Sequence, residues 1–338
     1  MKKRRFTTRR GIVILLIMFM LMLTIAIVSI NSGKMNLSQG EVLNVLFGKG
    51  TDNQNLIVFE FRLPRIILAV LVGVGMGASG CIMQSLLQND MASPGTLGIS
   101  SGSGLFVLIF MVLFSAQGVS SAIILPLLAF VGGITAALLI FLLSYRRGRD
   151  ISPTGLILTG VALSSGYSAF TTLLTLKLDQ NQMDFVQRWN AGSLWGDDWS
   201  YLSVLLPWTL LLLAYVIYKS RILNTLHLGN QTATGLGVAV KPEFLGLSIA
   251  AVALSGGSVA LGGNFFFIGM ISPHMARKLV GPNHKLLIPA SCLSGAVIVL
   301  LADTITRTIS LGTDVPSGIV ITVLSTPYFL YLLAKENQ

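Results

Sequence analysis

Charge is what this sequence lacks most. Only 11% of its 338 residues are Asp, Glu, Lys or Arg, 53% are apolar, and the mean hydropathy is +0.78. A soluble domain carries about a quarter charged residues because its surface must stay hydrated. So few charges exclude a water-exposed surface, and so apolar a chain excludes intrinsic disorder. Cysteine is almost absent: Cys81 and Cys292 both lie in apolar runs, which excludes a disulfide scaffold and a four-thiolate metal site. No GxxxxGK[ST] occurs, since Gly33-Lys34 and Gly48-Lys49 lack both the loop and the following hydroxyl, so the chain does not hydrolyse ATP by a P-loop. Acidic and histidine side chains are also missing from the middle of the apolar runs. Proton or sodium coupling usually needs them there. The nearest candidate, Asp303, lies close to the end of its run.

What is present is a series of apolar runs of bilayer length. The first, 11–30, follows Lys2, Lys3, Arg4, Arg5, Arg9 and Arg10. It is longer than the ~7–15 residues of a signal-peptide core and reads as a retained helix. Further runs occupy 66–87, 97–116, 122–144, 154–176, 200–218, 243–261, 264–280, 287–306 and 316–334. The expectation is one all-α transmembrane domain over 1–338, a polytopic membrane protein of about ten helices with both termini on one side. On that threading the terminus-side segments hold 16 Lys and Arg and the opposite segments 7. The positive-inside rule then places both termini in the cytoplasm of a cell-membrane protein. The net charge of +10 is thereby explained by topology, and a nucleic-acid partner is not.

Several motifs have two readings. Gly75-Met76-Gly77-Ala78-Ser79-Gly80 fits the GxGxxG of dinucleotide sites, but that loop follows a strand and this one falls in mid-run. The spacing of Gly73, Gly77 and Cys81 predicts a small-residue face for close helix packing. Gly77 to Gly80 also fits the GxSG of intramembrane serine proteases, which need a histidine base at the depth of Ser79. His227 and His284 fall in loop segments and His274 near the end of its run, in a structural role. Ser93-Pro94 and Ser152-Pro153 read as an N-cap with Pro at the first helical position. Gly262-Gly263-Asn264 predicts a tight hairpin, and Pro207, Pro273 and Pro327 lie inside spans. The segment 219–242 places Leu223, Leu226 and His227 at helical spacing before Gly235 and Gly237. It is either a connector or a short surface helix that docks a cytoplasmic partner. Trp189, Trp195 and Trp199 in 177–200 form either an interfacial aromatic belt or a short re-entrant helix at a pore mouth.

An ordered set of stretches resembles the FecCD family, the permeases of ABC importers for iron siderophores, haem and vitamin B12. These are Arg62-Leu63-Pro64-Arg65, Gly80-Cys81-Ile82-Met83-Gln84, Asn89-Asp90-Met91-Ala92-Ser93-Pro94-Gly95-Thr96-Leu97-Gly98 and Trp189-Asn190-Ala191-Gly192-Ser193. They continue through Ala233-Thr234-Gly235-Leu236-Gly237, Phe267-Ile268-Gly269-Met270-Ile271-Ser272-Pro273-His274, Leu301-Ala302-Asp303 and Val315-Pro316-Ser317-Gly318. Asp90 stands where the family often has Pro, and Ser272 where it often has Ala or Gly. The resemblance implies the ten-helix fold of the vitamin B12 permease, with no catalytic residue, cofactor or metal of its own. It implies a second permease subunit, identical or homologous, two ATP-binding subunits and an extracytoplasmic substrate-binding protein. It also implies roles: docking of the binding protein at Arg62, Arg65 and Arg307; a cytoplasmic gate at Asn89, Met91, Pro153 and Thr154; and ATPase coupling through Thr232, Ala233, Thr234, Gly235, Leu236 and Gly237 in the loop 219–242. The expected cargo is a ferric siderophore. Cobalamin or haem is the alternative within the family, and an ion-coupled secondary transporter or an intramembrane protease the alternative outside it.

Overall fold

A computed structural model describes residues 8–33, 37–113, 121–144, 153–195, 197–308 and 315–336. Among these there is no strand. In chain order the helices are α1 (Thr8–Asn31), α2 (Gln39–Leu46), α3 (Asp52–Asn55), a π-helical turn (Leu56–Arg62), α4 (Leu63–Leu86), α5 (Ile99–Leu113), α6 (Ser121–Ser144), α7 (Pro153–Thr175), α8 (Gln180–Asn190), α9 (Trp199–Tyr218), α10 (Ser220–Leu226), α11 (Asn230–Gly235), α12 (Val240–Gly262), α13 (Ile268–Val280), α14 (His284–Thr308) and α15 (Ser317–Glu336).

Helices stand at all ten positions marked by the apolar runs. Among the described residues seven stretches are long and apolar enough to cross a bilayer: α1, the continuous Asp52–Leu86, α6 from Leu127, α7 from Thr154, α9, α12 and α14. α5 and α15 are shorter apolar helices. The run 264–280 departs most from expectation. Its first residues form a turn and α13 has 13 residues, about 20 Å of helix. The second span also differs, because helix continues outward through Arg62 and Arg65 to Asp52. There the Leu63 N–H donates to the Val58 carbonyl, a π-type i→i−5 bond.

α4 is the axle of the bundle. Nearly its whole length is buried, and α14, α12 and α13 pack around it. Glycine makes the approach possible. A Cβ on Gly73 would lie 2.4 Å from the Gly295 carbonyl oxygen of α14, and one on Gly80 only 1.7 Å from that of Gly269 at the start of α13. Backbone meets backbone at these points, so the mid-run glycines serve packing, as their spacing predicts. α1 lies outside against α14, while α5, α6 and α7 form a second group tied to α12 through α6.

Two local expectations change. Ser93 caps a turn, not a helix: its hydroxyl accepts from the Thr96 N–H (3.1 Å), and the helix starts only at Ile99, after Gly98 at φ +80°. α7 does begin at Pro153, while Ser152 lies outside the described residues.

Candidate functional site

Chemically distinctive side chains gather at the two ends of α4. At its first turn stand Arg62 and Arg65, joined from α14 by Arg307 and Asp303. Asp303 is fully buried and accepts from Arg65 Nη2 (3.0 Å), Arg65 Nε (3.1 Å), Arg307 Nε (2.9 Å) and the Ser317 hydroxyl (3.3 Å). Arg65 also bridges to Asp197 (3.2 Å), and Arg307 reaches the Ser29 hydroxyl on α1. Arg62 is buried and donates to the Ile30 carbonyl. The three arginines are therefore brought together, as the sequence predicts, but around an internal acid. Asp303, the nearest candidate for ion coupling, has its lone pairs committed to two guanidinium groups, so it fastens α1, α4, α14 and α15 together.

Beside this cluster two of the tryptophans are fixed by backbone carbonyls. Trp195 Nε1 donates to Ala260 (2.8 Å) and Trp199 Nε1 to Phe59 (2.9 Å). Trp189 lies in the last turn of α8, a helix capped by Asp179, whose carboxylate accepts from the Gln182 N–H (2.8 Å). Within 177–200 the structure forms one short helix, α8. The hairpin at Gly262–Asn264 locks onto it, because the Asn264 N–H donates to the Trp189 carbonyl (3.1 Å).

At the far end, α4 runs into the turn carrying Asn89 and Met91. The Asn89 side-chain oxygen accepts from the Met91 N–H (2.8 Å), an Asx-turn that holds this bend without a proline. Asp90, the departure from the family pattern, forms an ion pair with Arg277 in the last turn of α13. The bend meets α7 through Leu97 and Gly98, which pack on Gly160 and Ser164. Thr154 is exposed one helical stretch earlier, at the start of α7 beside Pro153.

The segment 219–242 forms two short helices, α10 and α11, where one was expected. Gly229 breaks them at φ +105°. Leu223 and Leu226 point inward and are buried, while Leu236 is 65% exposed. α11 ends in a Schellman motif: the Val238 N–H donates to Ala233 (3.0 Å) and the Gly237 N–H to Thr234 (2.9 Å), with Gly237 at φ +82°. Thr232, Ala233, Thr234, Gly235, Leu236 and Gly237 thus make one rigid corner with Leu236 at its tip. Lys219 pairs with Glu243 (2.7 Å) across the base of the segment.

The two glycines here differ in a testable way. Neither Cβ would meet any atom within 4 Å, but only Gly237 has positive φ. Gly237→Ala is expected to destabilise by about 1 kcal/mol through left-handed strain, and Gly235→Ala to be neutral or stabilising by about 0.5–1 kcal/mol. Thermal midpoints of the purified variants should move in opposite directions. Equal shifts would show that the corner is not built this way.

Buried polar groups tie this corner to α4. His284, the first residue of α14, contacts the Ser85 hydroxyl through Nε2 and Asn224 Oδ1 through Nδ1 (2.8 Å), and its N–H donates to the same Asn224 oxygen (2.9 Å). Gln88 reaches the Leu226 carbonyl (3.4 Å), and the His227 ring stacks edge-on to His284 at 5.9 Å. Burial and the nearby Arg277 guanidinium push the His227 imidazole below its ordinary pKa, favouring the neutral ring. Ser85, His284 and Asn224 have the connectivity of a hydrolytic triad, yet Ser85 is fully buried and donates to the Cys81 carbonyl (2.8 Å), so no substrate can reach it. Ser79, the residue of the GxSG match, donates to the Ala251 carbonyl (2.7 Å) and has no histidine base. The His274 ring packs edge-on to Tyr328 at 6.1 Å.

The chain matches the family model described as the FecCD transport family over residues 19–335. It is 42% identical to the iron(3+)-hydroxamate import system permease protein FhuG of Bacillus subtilis, over 98% of this chain and 99% of that protein. It is 37% identical to the Fe(3+)-citrate import system permease protein YfmE of the same organism, over 100% and 99%. It is 33% identical to the ferric enterobactin transport system permease protein FepG of Escherichia coli, over 98% and 99%. A solved structure of a metal-chelate type ABC transporter in an inward-facing conformation superposes with a TM-score of 0.82 at 29% identity, covering 95% of this chain and 99% of that one.

Proposed function

The chain belongs to the FecCD transport family, and from that premise we propose that it passes a ferric chelate across the cell membrane as the permease subunit of an ABC importer. One observation carries this reading. The likeness runs over nearly the full length of this chain and of relatives that each bear the name of an iron-import permease. The energy source lies in separate subunits: the chain has no P-loop, and the fully buried Asp303 is locked between arginines.

The two ends of α4 then take different partners. The positive-inside count orients the corner 219–242 and both termini to the cytoplasm and the arginine cluster outward. ATP-binding subunits dock on Leu236, whose exposed apolar side chain on a rigid corner suits a cleft. Movement there reaches the gate residues Asn89 and Met91 through Asn224, His284 and Ser85, and Pro153 and Thr154 face the same end. On the opposite side Arg65 and Arg307 present their partly exposed edges to acidic groups of a binding protein, with Arg62 supporting them from beneath. α7 exposes Ser165, Ser168 and Thr172 although its composition suits a bilayer. Ser165 and Thr172 return their hydroxyls to carbonyls of their own helix (3.1 and 2.9 Å), and small hydroxyl-bearing residues suit close helix contact, so this face is assigned to a second permease subunit beside the path.

The test is uptake by proteoliposomes holding the permease with its ATP-binding subunits and binding protein. Iron delivered as a ferric chelate should accumulate only with ATP. Accumulation of equal size without ATP, or none with any ferric chelate, would overturn the reading.

A further inference from the structure

α4 runs into the gate turn through a strained residue. Gln88, one position beyond the helix C-cap Leu87, has φ +49°, and among the described residues it is the one non-glycine at positive φ. Glycine is the usual occupant there, because a Cβ crowds the backbone in the left-handed region. Such a conformation persists where the surroundings hold it, and it recurs at switch regions. Two contacts hold this one. The Asn89 N–H donates back to the Gln84 carbonyl (3.1 Å), and Gln88 Nε2 reaches the Leu226 carbonyl at the end of α10 (3.4 Å).

Beyond Gln88 the chain forms a small unit bonded to itself. Asn89 Oδ1 accepts from the Met91 N–H (2.8 Å), and the Asn89 carbonyl accepts from the Ala92 N–H (3.0 Å). A turn closed in this way can pivot about Gln88 as one piece. Asp90, between the two gate residues, fastens it to Arg277 of α13. α13 cannot follow such a movement freely, because it packs on α4 and α14 and buries Ala276 and Val280 beside Arg277.

The residue at position 90 sets this chain apart from the pattern it resembles, which often has Pro there. Pro restrains the residue before it permanently. An ion pair can part and re-form. The Asp90 side chain is 43% exposed and that of Arg277 16%, so water can solvate the acid once the pair separates, and opening carries no prohibitive desolvation cost.

We infer that Asp90 and Arg277 are positioning residues of the cytoplasmic gate: their ion pair holds the turn 89–91 against α13 in the arrangement of this structure, and it parts, with Gln88 as the pivot, when the ATP-binding subunits move α10. The inference rests on the gate reading above.

The experiment uses the complete transporter in proteoliposomes. Asp90→Cys with Arg277→Cys is joined by a short bifunctional methanethiosulfonate, while Cys81 and Cys292 are buried and do not compete. Cross-linking is expected to abolish ATP-driven uptake, and a reductant to restore it, because the turn must leave α13 in every cycle. Asp90→Asn keeps the side-chain shape and tests the pair even if the cysteine variant fails to assemble. Loss of a partly exposed ion pair shifts an equilibrium by up to roughly fivefold. ATPase activity without cargo should rise by about that factor, and uptake per ATP hydrolysed should fall. Asp90→Arg with Arg277→Asp should bring both back toward the parent. Uptake by the cross-linked protein, or parental ATPase activity in assembled Asp90→Asn, would show that the pair is a static fastener and overturn the inference. A third arm isolates the gate reading. Met91→Cys carrying a bulky maleimide should block uptake. Continued uptake there would place the gate elsewhere and remove the inference with it, whereas a block at 91 together with uptake by the cross-linked pair would remove the role of Asp90 and Arg277 alone.

Discussion

Asp303→Ala is expected to cost on the order of 3–5 kcal/mol of stability, the largest single loss in the molecule outside the glycine contacts of α4. The carboxylate is fully buried and binds two guanidinium groups at 2.9–3.1 Å. Removing it leaves Arg307 its contact with the Ser29 hydroxyl and Arg65 its contact with the half-exposed Asp197. The penalty is chiefly that of two largely buried cations left without their carboxylate, not the net value of the pair. A consequence follows for the double variant. Asp303→Ala with Arg307→Met removes one stranded cation and should recover a substantial part of the loss. The thermal midpoint of purified protein, scored for the single and double variants, decides the matter. No loss in Asp303→Ala would show that the arginines are solvated and the clamp is absent. The same comparison bears on docking. A structural clamp predicts reduced yield and stability, whereas Arg62→Glu in a folded protein is expected to impair capture of the binding protein, by mispositioning the Arg65 and Arg307 edges.

How far the sequence discloses this molecule depends on the range of the interactions. Apolar runs are local, and helices stand where they lie. Glycine spacing is nearly local, and Gly73 and Gly77 pack against the backbone of α14 as a small-residue face should. What stays hidden is pairing over long separations. His284 reads as a loop histidine because Ser85 and Asn224 are 199 and 60 positions away. Arg277 reads as one more cytoplasmic cation, with nothing in the sequence to show that it meets Asp90. Hydropathy also cannot tell a spanning helix from a short one that starts inside the bundle, which is why 264–280 looks like any other span. The arginine cluster was half legible. Three cations on the side that the positive-inside count disfavours mark a site, but that Asp303 holds both Arg65 and Arg307, 238 and 4 positions away, is set by the fold.

Leu236→Asp is expected to abolish coupling while leaving the fold intact, and the geometry explains why the two effects separate. The side chain is 65% exposed at the tip of α11 and contributes nothing to the core, whereas Ala233, Leu223 and Leu226 beneath it are buried. The backbone of the corner is held by the Schellman bonds and by Gly237, which a substitution at 236 leaves in place. A surface change of this kind usually alters stability by no more than about 0.5 kcal/mol. Burying a leucine side chain in a partner's cleft gains roughly 1.5–3 kcal/mol, and forcing a carboxylate into the same cleft adds a desolvation penalty of several more. The affinity for the ATP-binding subunits should therefore fall by at least about 100-fold, since every 1.4 kcal/mol is a factor of ten. Two measurements separate the alternatives: co-purification of the ATP-binding subunits, and uptake per ATP hydrolysed. Leu236→Met, which keeps an apolar tip, should retain both. If Leu236→Asp co-purifies and transports like the parent, the ATP-binding subunits dock elsewhere, and the bonded path from Asn224 through His284 to Ser85 only fastens α10 to the bundle.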